Sequence, residues 1–391
     1  MFRRDGKKWA YVVDVGVDPS TGKRKQQTKS GFATRKAAQD ALRDLITTVQ
    51  GGAFVARSSA TLGAYLDEWL ENSRSRLRET SWWSYQLAVR RIAGIIGEVR
   101  LQALTPLQIE STYAKLLKSG GQRGRPLAPK TVRNCHVVLH RALSDAERLG
   151  LVARNAAHAA RAPSSTRIEM ATWTAEDLAA FLEFVKGDRL FGAYVLLATT
   201  GMRRGEVLGL HWSDLDLEGR RLSVTQTLTT MNDQVFLGPA KSNRSRRNVA
   251  LDADTVAALR SHRALQAAER LTVGGAWDGS HDLVFRAQDG QPLHPDRFTA
   301  AFKRHVAGSG LPPLRGPHGL RHTWATLALK AGVHPKVVSD RLGHSTIAIT
   351  IDTYSHVAPS LDATAADTVA AQIFGSAGIA RSGRPAPAGD H

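Results

Sequence analysis

The pattern of hydrophobic and polar positions near the N-terminus predicts a small β-sheet followed by one helix. Apolar residues alternate with small or polar ones over 9–15, which is typical of a strand with one buried face. A turn signal and a very basic run at 23–29 predict a second strand. Thr34 is placed to cap a helix that runs to about Val49. Together these elements form the first predicted domain, residues 1–52.

Beyond this domain the apolar residues recur at intervals of three and four, which indicates helices. We predict a four-helix domain over 60–160, with helices that start near Thr61, Thr80, Thr105 and Thr131. A linker follows at 161–170. Helices then alternate with one short sheet over 171–375, and the predicted strands of that sheet are 221–227, 234–237 and 247–251. The Gly-, Pro- and Ala-rich tail, 376–391, is expected to be disordered. The predicted fold class is multidomain and mainly α, with a mixed α+β C-terminal domain.

Charge changes this picture by indicating a partner. The 391 residues include 53 Lys and Arg against 35 Asp and Glu, a net charge of +18, while 42% of the residues are hydrophobic. Most of the excess positive charge lies in residues 1–165. A folded protein of this kind favours a polyanionic partner, nucleic acid first and acidic lipid second. The alternative is that the basic residues only aid solubility.

Several classes of protein are excluded by the same sequence. The one cysteine, Cys135, excludes an intramolecular disulfide framework and a cysteine-based zinc site. No apolar run reaches the roughly 18 residues of a membrane-spanning helix. The charged N-terminus lacks the apolar core of a signal peptide. We therefore expect a soluble cytosolic protein with no membrane partner.

Four clusters in the last domain carry candidate chemistry. Their residues are Thr200-Gly201-Met202-Arg203, then Lys241 between two predicted strands, then His318 and Arg321 three positions apart, then Leu342-Gly343-His344 followed ten residues later by Tyr354. An arginine at a helix start suits a phosphate. Taken singly, none of the clusters is specific. The arginine at a helix start is common, and the Lys241 segment is explained equally well as a solvated loop. His318 and Arg321 are explained better as surface decoration, and Tyr354 as a half-buried aromatic.

In this order the clusters resemble the tyrosine recombinases, and most closely the lambda-type integrases of phages and mobile elements. The resemblance covers nearly the whole chain. It implies an arm-site DNA-binding domain, a core-binding SAM-like helical domain and a catalytic domain. It also implies an active site formed by Arg203, Lys241, His318, Arg321 and His344 around the nucleophile Tyr354, with His322 in support. Trp324 stands where the family usually has an aromatic residue, often Phe.

The implied reaction is site-specific recombination, in which DNA is cleaved and rejoined through a 3′-phosphotyrosyl link that leaves a free 5′-hydroxyl. By this reaction the enzyme would integrate or excise a mobile element at attachment sites. Arginines can clamp the phosphate oxygens because their planar donors stay protonated. Lys241 is the best candidate acid for the leaving oxygen. His318 is placed to assist deprotonation of Tyr354 or to hold the phosphate, and His344 to bind the phosphate or orient the nucleophile.

No cofactor is expected. The chain has no G-x-x-x-x-G-K-[ST] phosphate loop and no compact group of carboxylates suited to two catalytic metals. His136 and His140 have metal-like spacing, but no accompanying Glu completes the H-E-x-x-H motif. We therefore expect activity in the presence of a chelator and without nucleotide.

The expected partners are double-stranded DNA at core and arm sites and further copies of this chain, assembled as a tetramer. Candidate accessory partners are DNA-bending and excisionase proteins, and the expected location is the nucleoid in a bacterial cytoplasm. The candidate DNA-contacting residues are Lys23, Arg24, Lys25, Arg90, Arg91, Arg123 and Arg125. The stretch 361–374 is expected to pack either on a neighbouring subunit or on its own domain.

Three alternatives remain at this point. A Xer-type resolvase or a type IB topoisomerase-like enzyme would use the same residues, although the basic N-terminal unit favours an integrase. A DNA-binding regulator with a vestigial catalytic set is a second alternative, which the complete set disfavours. A metal-dependent nuclease is disfavoured by the lack of clustered carboxylates. The target site, the bias between integration and excision, and the host do not follow from the sequence.

Overall fold

The computed structural model describes residues 2–5, 8–17, 24–50, 55, 57–164, 170–231, 233–239, 246–354 and 369–373. Lys23, Lys241 and the predicted tail lie outside these residues. The chain forms two compact units, Met1–Arg167 and Ile168–His391, and each is described by itself. Among the described residues, none of the helices has both the length and the apolar character needed to cross a membrane.

The first unit begins with the predicted sheet and helix. Three antiparallel strands, in the order β1-β2-β3, precede one helix; their bounds are β1 Phe2–Asp5, β2 Lys8–Val17, β3 Arg24–Phe32 and α1 Arg35–Gln50. Sequence reasoning missed β1, which pairs with β2 through Arg4 opposite Trp9. Tyr11 is buried and its ring stacks on Phe32 at 5.8 Å, while its neighbour Ala10 is also buried, so burial in β2 does not follow the predicted alternation strictly.

In the described part of this unit, four further α-helices follow: α2 Leu62–Asn72, α3 Glu79–Ile96, α4 Pro106–Ser119 and α5 Pro129–Arg148. Two predicted starts are confirmed, since the Thr61 side chain accepts from the Ala64 amide and Thr105 forms a capping box with Gln108. The other two helices begin one or two residues earlier than predicted, and α5 does so because Pro129 is favoured in a first helical turn.

The second unit is a mixed α+β structure. Its helices are α6 Ala175–Phe184, α7 Phe191–Thr200, α8 Arg204–Leu208, α9 Ala253–Val273, α10 Pro295–Gly308, α11 His318–Lys330, α12 Pro335–Leu342 and α13 Ile347–Tyr354. Residues 369–373 are also helical, within the predicted stretch 361–374. The capping pattern at Thr174 and Asp177 forms as expected. Aromatic residues fill the core, where Phe181, Tyr194, Phe298 and Phe302 are fully buried.

The prediction of one short sheet in this unit is wrong, because its described residues form two separate sheets. Strands β4 Leu215–Asp216, β5 Arg221–Val224 and β8 Arg247–Ala250 form one antiparallel sheet, and β6 Gln226–Met231 and β7 Gln234–Pro239 form a separate hairpin. The predicted strand 221–227 breaks at Thr225, whose hydroxyl donates to Asp214 at 3.0 Å. The side-chain bond therefore marks the point where the chain passes from one sheet to the other.

Candidate active site

Arg203 is positioned by a sharp helix end. Helix α7 is buried along most of its length and stops at Gly201, which has φ +65°. A Cβ atom at Gly201 would lie 2.8 Å from side-chain atoms of both Leu342 and Trp324, so a side chain does not fit there. The chain then turns into α8 with Arg203 in an extended conformation just before that helix. Glycine at this position thus brings Arg203 close to the end of α12.

A buried carboxylate orients the Arg203 guanidinium. Arg203 Nη1 donates to Glu206 Oε1 at 2.8 Å, and the Arg203 amide donates to Glu206 Oε2 at 3.0 Å. Glu206 is only 4% exposed and also accepts from Arg247, whose Nη2 lies 2.9 Å from Oε2. Burial by itself would raise the pKa of Glu206, but the hydrogen bonds and charge of Arg247, with the charge of Arg203, lower it to about 2.

Arg247 extends this network to a third element. It is the first residue of β8, and its Nε donates to the Arg341 carbonyl at 2.6 Å. Strand β8 follows the segment that carries Lys241, so Arg247 links that strand to α12 as well as to Glu206. Sequence reasoning singled out neither Glu206 nor Arg247. Glu206 had a local signal: it lies three residues after Arg203, which precedes a helix, and an acidic residue at that position is typical of a capping box. Arg247 had none.

Arg321 lies on α11 and is 5% exposed. Its Nη1 donates to the Gly201 carbonyl and its Nη2 to the Leu342 carbonyl, both at 2.8 Å. Arg203 Nη2 donates to the next carbonyl, that of Gly343, at 3.2 Å. The two predicted arginines are therefore brought together by hydrogen bonds to one short stretch of backbone, although 118 positions separate them in the chain.

The histidines of α11 sit in the same positive field. His318 is the first residue of that helix and is exposed, whereas His322 is half-buried. Desolvation, then the charges of Arg204, Arg321 and Arg203, lower the pKa of His318. Desolvation, followed by the charge of Arg321 and by His318, lowers the pKa of His322 to about 4. Both imidazoles are therefore neutral near pH 7.

His344 connects the arginines to the helix that ends at Tyr354. Helix α12 stops at Gly343 with φ +66°, and His344 follows it. His344 Nδ1 is hydrogen-bonded to the buried Thr350 Oγ1 at 2.7 Å. Thr350 lies one helical turn before Tyr354, the last residue of α13. Desolvation and then the charges of Arg321 and Arg203 lower the pKa of His344 to about 4, so this imidazole is also neutral at pH 7.

Trp324 contributes from the interior side of α11. Its ring contacts the position of Gly201, and the Arg341 guanidinium lies 5.2 Å from the ring centroid. The aromatic residue expected here therefore helps to pack α7, α11 and α12 against each other. Its place next to Gly201 explains why a larger residue at that glycine would disturb both arginines.

The candidate DNA-contacting residues are mostly exposed. The described side chains of Arg24, Arg90, Arg123 and Arg125 are open to solvent, whereas Arg91 is half-buried and interacts with the Cys135 thiol. Lys25 belongs to β3, and its side chain lies outside the description. Exposure alone does not show that these residues bind DNA, so the assignment stays a prediction.

The pair His136 and His140 forms part of a polar chain. Tyr113 Oη is hydrogen-bonded to His136 Nδ1 at 2.8 Å, and His140 Nε2 lies 3.3 Å from His158 Nδ1. Within the described ranges, no group of three or more His, Cys, Asp or Glu residues is arranged to hold a metal ion.

The fold and these contacts define a mainly helical protein. In its second unit, arginines and neutral histidines lie together near the start of α11 and the end of α12. Comparison with known families agrees with the motifs. Residues 1–49 match an arm DNA-binding domain, 61–117 a phage integrase N-terminal SAM-like domain, and 172–360 the phage integrase family. The chain belongs to the phage integrase family of tyrosine recombinases, and the predicted resemblance is confirmed.

Sequence similarity to known proteins extends over most of the chain. A protein named tyrosine recombinase XerC-like, from Caldanaerobacter subterraneus, is 28% identical over 94% of this chain and 97% of its own length. The ICEBs1 integrase of Bacillus subtilis is 26% identical over 91% of this chain and 96% of its own length.

Solved structures show the same fold. The Tn1549 transposon integrase in complex with transposon right end DNA is 21% identical, has a TM-score of 0.65 and covers 75% of this chain and 94% of that one. A lambda integrase dimer bound to a COC′ core site is 18% identical, has a TM-score of 0.55 and covers 90% of this chain and 94% of that one. The predicted fold class is confirmed by these neighbours.

Proposed function

We propose that this chain is a site-specific DNA recombinase that cleaves and rejoins DNA through a 3′-phosphotyrosyl intermediate formed on Tyr354. The observation that carries this proposal is that Arg203 and Arg321 donate to the adjacent carbonyls of Gly343 and Leu342. The next residue, His344, is hydrogen-bonded to Thr350 in the helix that ends at Tyr354. Phosphate clamps, neutral imidazoles and a tyrosine are the groups that this reaction needs.

The arginines bind the non-bridging oxygens of the scissile phosphate. Arg203 is the more accessible of the two, since 36% of its side chain is exposed while Glu206 fixes one edge of its guanidinium. Arg321 supports the same stretch of backbone from within. Negative charge grows on the phosphate oxygens in the transition state, and an arginine in such a role is worth roughly 10³–10⁵ in rate.

The tyrosine oxygen attacks phosphorus, and the bond from phosphorus to the 5′-oxygen breaks. A phenol has a pKa near 10, so the proton must be removed as the attack proceeds. His318 is the proposed acceptor, because its lowered pKa keeps it neutral and able to take a proton at pH 7. Lys241 is proposed to give a proton to the 5′-oxygen. The reverse attack by another 5′-hydroxyl restores both groups, so no nucleotide is consumed.

His344 is proposed to donate one hydrogen bond to the phosphate. With Nδ1 engaged by Thr350, the other ring nitrogen is the one that can face the substrate. Because Thr350 is one turn from Tyr354, the same bond ties the position of the imidazole to the helix that carries the nucleophile.

The partners are proposed from the similar proteins. The relatives include the ICEBs1 integrase and the integrase of Mycobacterium phage D29. The lambda integrase structures include a tetramer bound to a Holliday junction. We infer that this chain integrates or excises a mobile element, that it acts as a tetramer on DNA, and that residues 1–52 bind arm sites while 60–160 and 171–375 bind the core site. The match of residues 1–49 to an arm DNA-binding domain supports the arm assignment.

A Xer-type resolvase is the second candidate, because the first relative described above carries a XerC-like name. The arm-domain match favours an integrase. Joining of two different attachment sites, rather than resolution of two identical ones, would distinguish the integrase.

Covalent trapping tests the proposal. Labelled, nicked duplexes tiled across the DNA that flanks the gene would be incubated in EDTA with the wild type and with Tyr354→Phe, then run on a denaturing gel. We expect a shifted protein–DNA band for the wild type alone. A band in the variant would assign the nucleophile elsewhere, and the absence of a band in both, with tight DNA binding retained, would favour a regulator.

A further inference from the structure

A cationic hollow lies beside the candidate active site in the second unit. It has a volume of about 230 Å³, and its lining includes Arg204, Arg315, Thr299 and His318. A single water needs only about 10–15 Å³ of such space, so the hollow is large enough for a tetrahedral anion. His318 belongs both to this lining and to the candidate site, which makes the two neighbours.

The charges around this hollow favour an anion. Its lining residues include two arginines and one histidine but no carboxylate. The carboxylate on Arg204 is that of Asp296, whose Oδ1 lies 3.4 Å from Nη1 and whose side chain is 73% exposed. Water screens a carboxylate so open. Arg315 is exposed and makes no ion pair with any described residue.

Arg204 is held in a fixed orientation from one side. Its Nη1 donates to the Pro295 carbonyl at 3.0 Å and to Thr299 Oγ1 at 2.5 Å. Thr299 in turn donates to the Pro295 carbonyl at 3.0 Å, so its hydroxyl is fixed as an acceptor for Arg204. All hydrogen bonds from Arg204 to described residues use Nη1. The fork formed by Nε and Nη2 is the part of the guanidinium suited to two phosphate oxygens.

The side chains of Arg203 and Arg204, adjacent in the sequence, thus point in different directions. Arg203 turns to Glu206 and the Gly343 carbonyl, whereas Arg204 turns to α10 and the hollow. Successive phosphates of one DNA strand are spaced by only about 3.4 Å along the duplex axis. A strand with one phosphate at Arg203 therefore presents another phosphate within reach of its neighbour.

We propose that this hollow binds a second phosphate of the cleaved strand, adjacent to the scissile one, and that Arg204 and Arg315 are its ligands. The proposal rests on the proposed recombinase function and adds a subsite to it. This second phosphate does not change its bonds during the reaction, so the contact strengthens DNA binding in ground state and transition state alike. Its main effect is on affinity and on the register of the strand.

The test measures binding of the full-length chain to the duplex located by covalent trapping. In the Tyr354→Phe background, Arg204→Gln and Arg315→Gln are each expected to weaken binding roughly tenfold. The slope of log K against log salt should fall by about 0.9 for each arginine. Arg270→Gln, an exposed arginine outside the hollow, is the matched control for loss of one positive charge.

Neutral methylphosphonate linkages placed one at a time along the strand then locate the contact. At the phosphate next to the scissile one, the neutral linkage and Arg204→Gln should be non-additive, because either change removes the same ion pair. Additive losses at every position, or an equal loss for Arg270→Gln, would overturn the proposal. If the variants bind like their Tyr354→Phe parent while the wild type still forms the covalent adduct, the subsite is wrong and the recombinase function stands. Absence of the adduct in the wild type contradicts the proposed function itself.

In the Tyr354-containing protein, the cleavage rate at saturating DNA separates this role from that of the clamp. Arg204→Gln should lower this rate less than it lowers the affinity, whereas Arg203→Gln should lower mainly the rate. The opposite pattern for Arg204→Gln would make it a member of the transition-state clamp and contradict the assignment.

Discussion

Replacing Glu206 with glutamine tests whether the buried carboxylate holds the proposed phosphate clamp in place. Glu206 is 4% exposed and accepts hydrogen bonds from Arg203 and Arg247. Glutamine keeps the size of the side chain but removes its charge, so both guanidinium groups lose their ionic partner. Arg247 then stays buried without its carboxylate, which is costly in a protein interior.

The expected loss of stability follows from the pKa of Glu206, which is lowered from 4.5 to about 2. Each pKa unit corresponds to about 1.4 kcal/mol, so the ionised carboxylate contributes about 3 kcal/mol to the free energy of unfolding. Because the pKa is lowered in the folded state, this contribution is complete well above pH 4.5 and is lost as the pH falls toward 2. A clamp shifted by about 1 Å loses roughly 100-fold in cleavage rate.

Glu269→Gln is the matched control, since Glu269 also forms a partly buried ion pair, with Arg189, away from the candidate site. Urea unfolding and single-turnover cleavage of the flanking duplex would be measured for both variants at pH 7. Glu206→Gln should lose stability and about 100-fold in cleavage, whereas Glu269→Gln should lose stability alone. Equal cleavage by the two variants would refute the positioning role of Glu206.

Three further predictions rest on single contacts. Both Gly201 and Gly310 have positive φ, but of the two only Gly201 lacks room for a Cβ. Gly201→Ala should therefore lower the free energy of unfolding of the second unit by at least about 1 kcal/mol more than Gly310→Ala does. Equal losses of the two variants in urea unfolding would contradict this. Thr350→Val should slow single-turnover cleavage about tenfold by removing the 2.7 Å bond to His344, and an unchanged rate would dissociate that bond from catalysis. The free energy of unfolding should fall as the pH drops from 6.5 toward 4, because the fold favours the neutral form of His344 and lowers its pKa to about 4. His344→Gln should show a weaker pH dependence of the free energy of unfolding. The same dependence in this variant as in the wild type would contradict the prediction.

Several of the motif residues could be predicted because they lie at element boundaries with a local signal, whereas Arg321 lies within α11. Gly201 and Gly343 end helices with positive φ, and the residues after them carry the candidate chemistry. The family resemblance then rested on the order in which these motifs follow one another along the chain. The caps at Thr61, Thr105 and Thr174 are equally local, which explains why those helix starts were predicted correctly.

Contacts between distant parts of the chain could not be predicted in the same way. Arg247 meets Glu206 from 41 positions away, and nothing in the sequence around either residue indicates the other. Thr225 likewise looks from the sequence like an ordinary strand residue. In the structure the predicted strand breaks there, and the Thr225 hydroxyl donates to Asp214. Sequence reasoning did not single out Arg204, and the direction of its side chain depends on the carbonyl of Pro295, 91 positions away.

The most direct measurement of the central claim is to identify the amino acid that carries the DNA in the trapped adduct. The wild-type adduct formed on the nicked duplex would be digested with nuclease and protease, and the modified peptide sequenced by mass spectrometry. We predict that the peptide contains Tyr354 with a nucleotide attached through its 3′-phosphate. A nucleotide on any other residue, or one attached through its 5′-phosphate, would contradict the proposed mechanism.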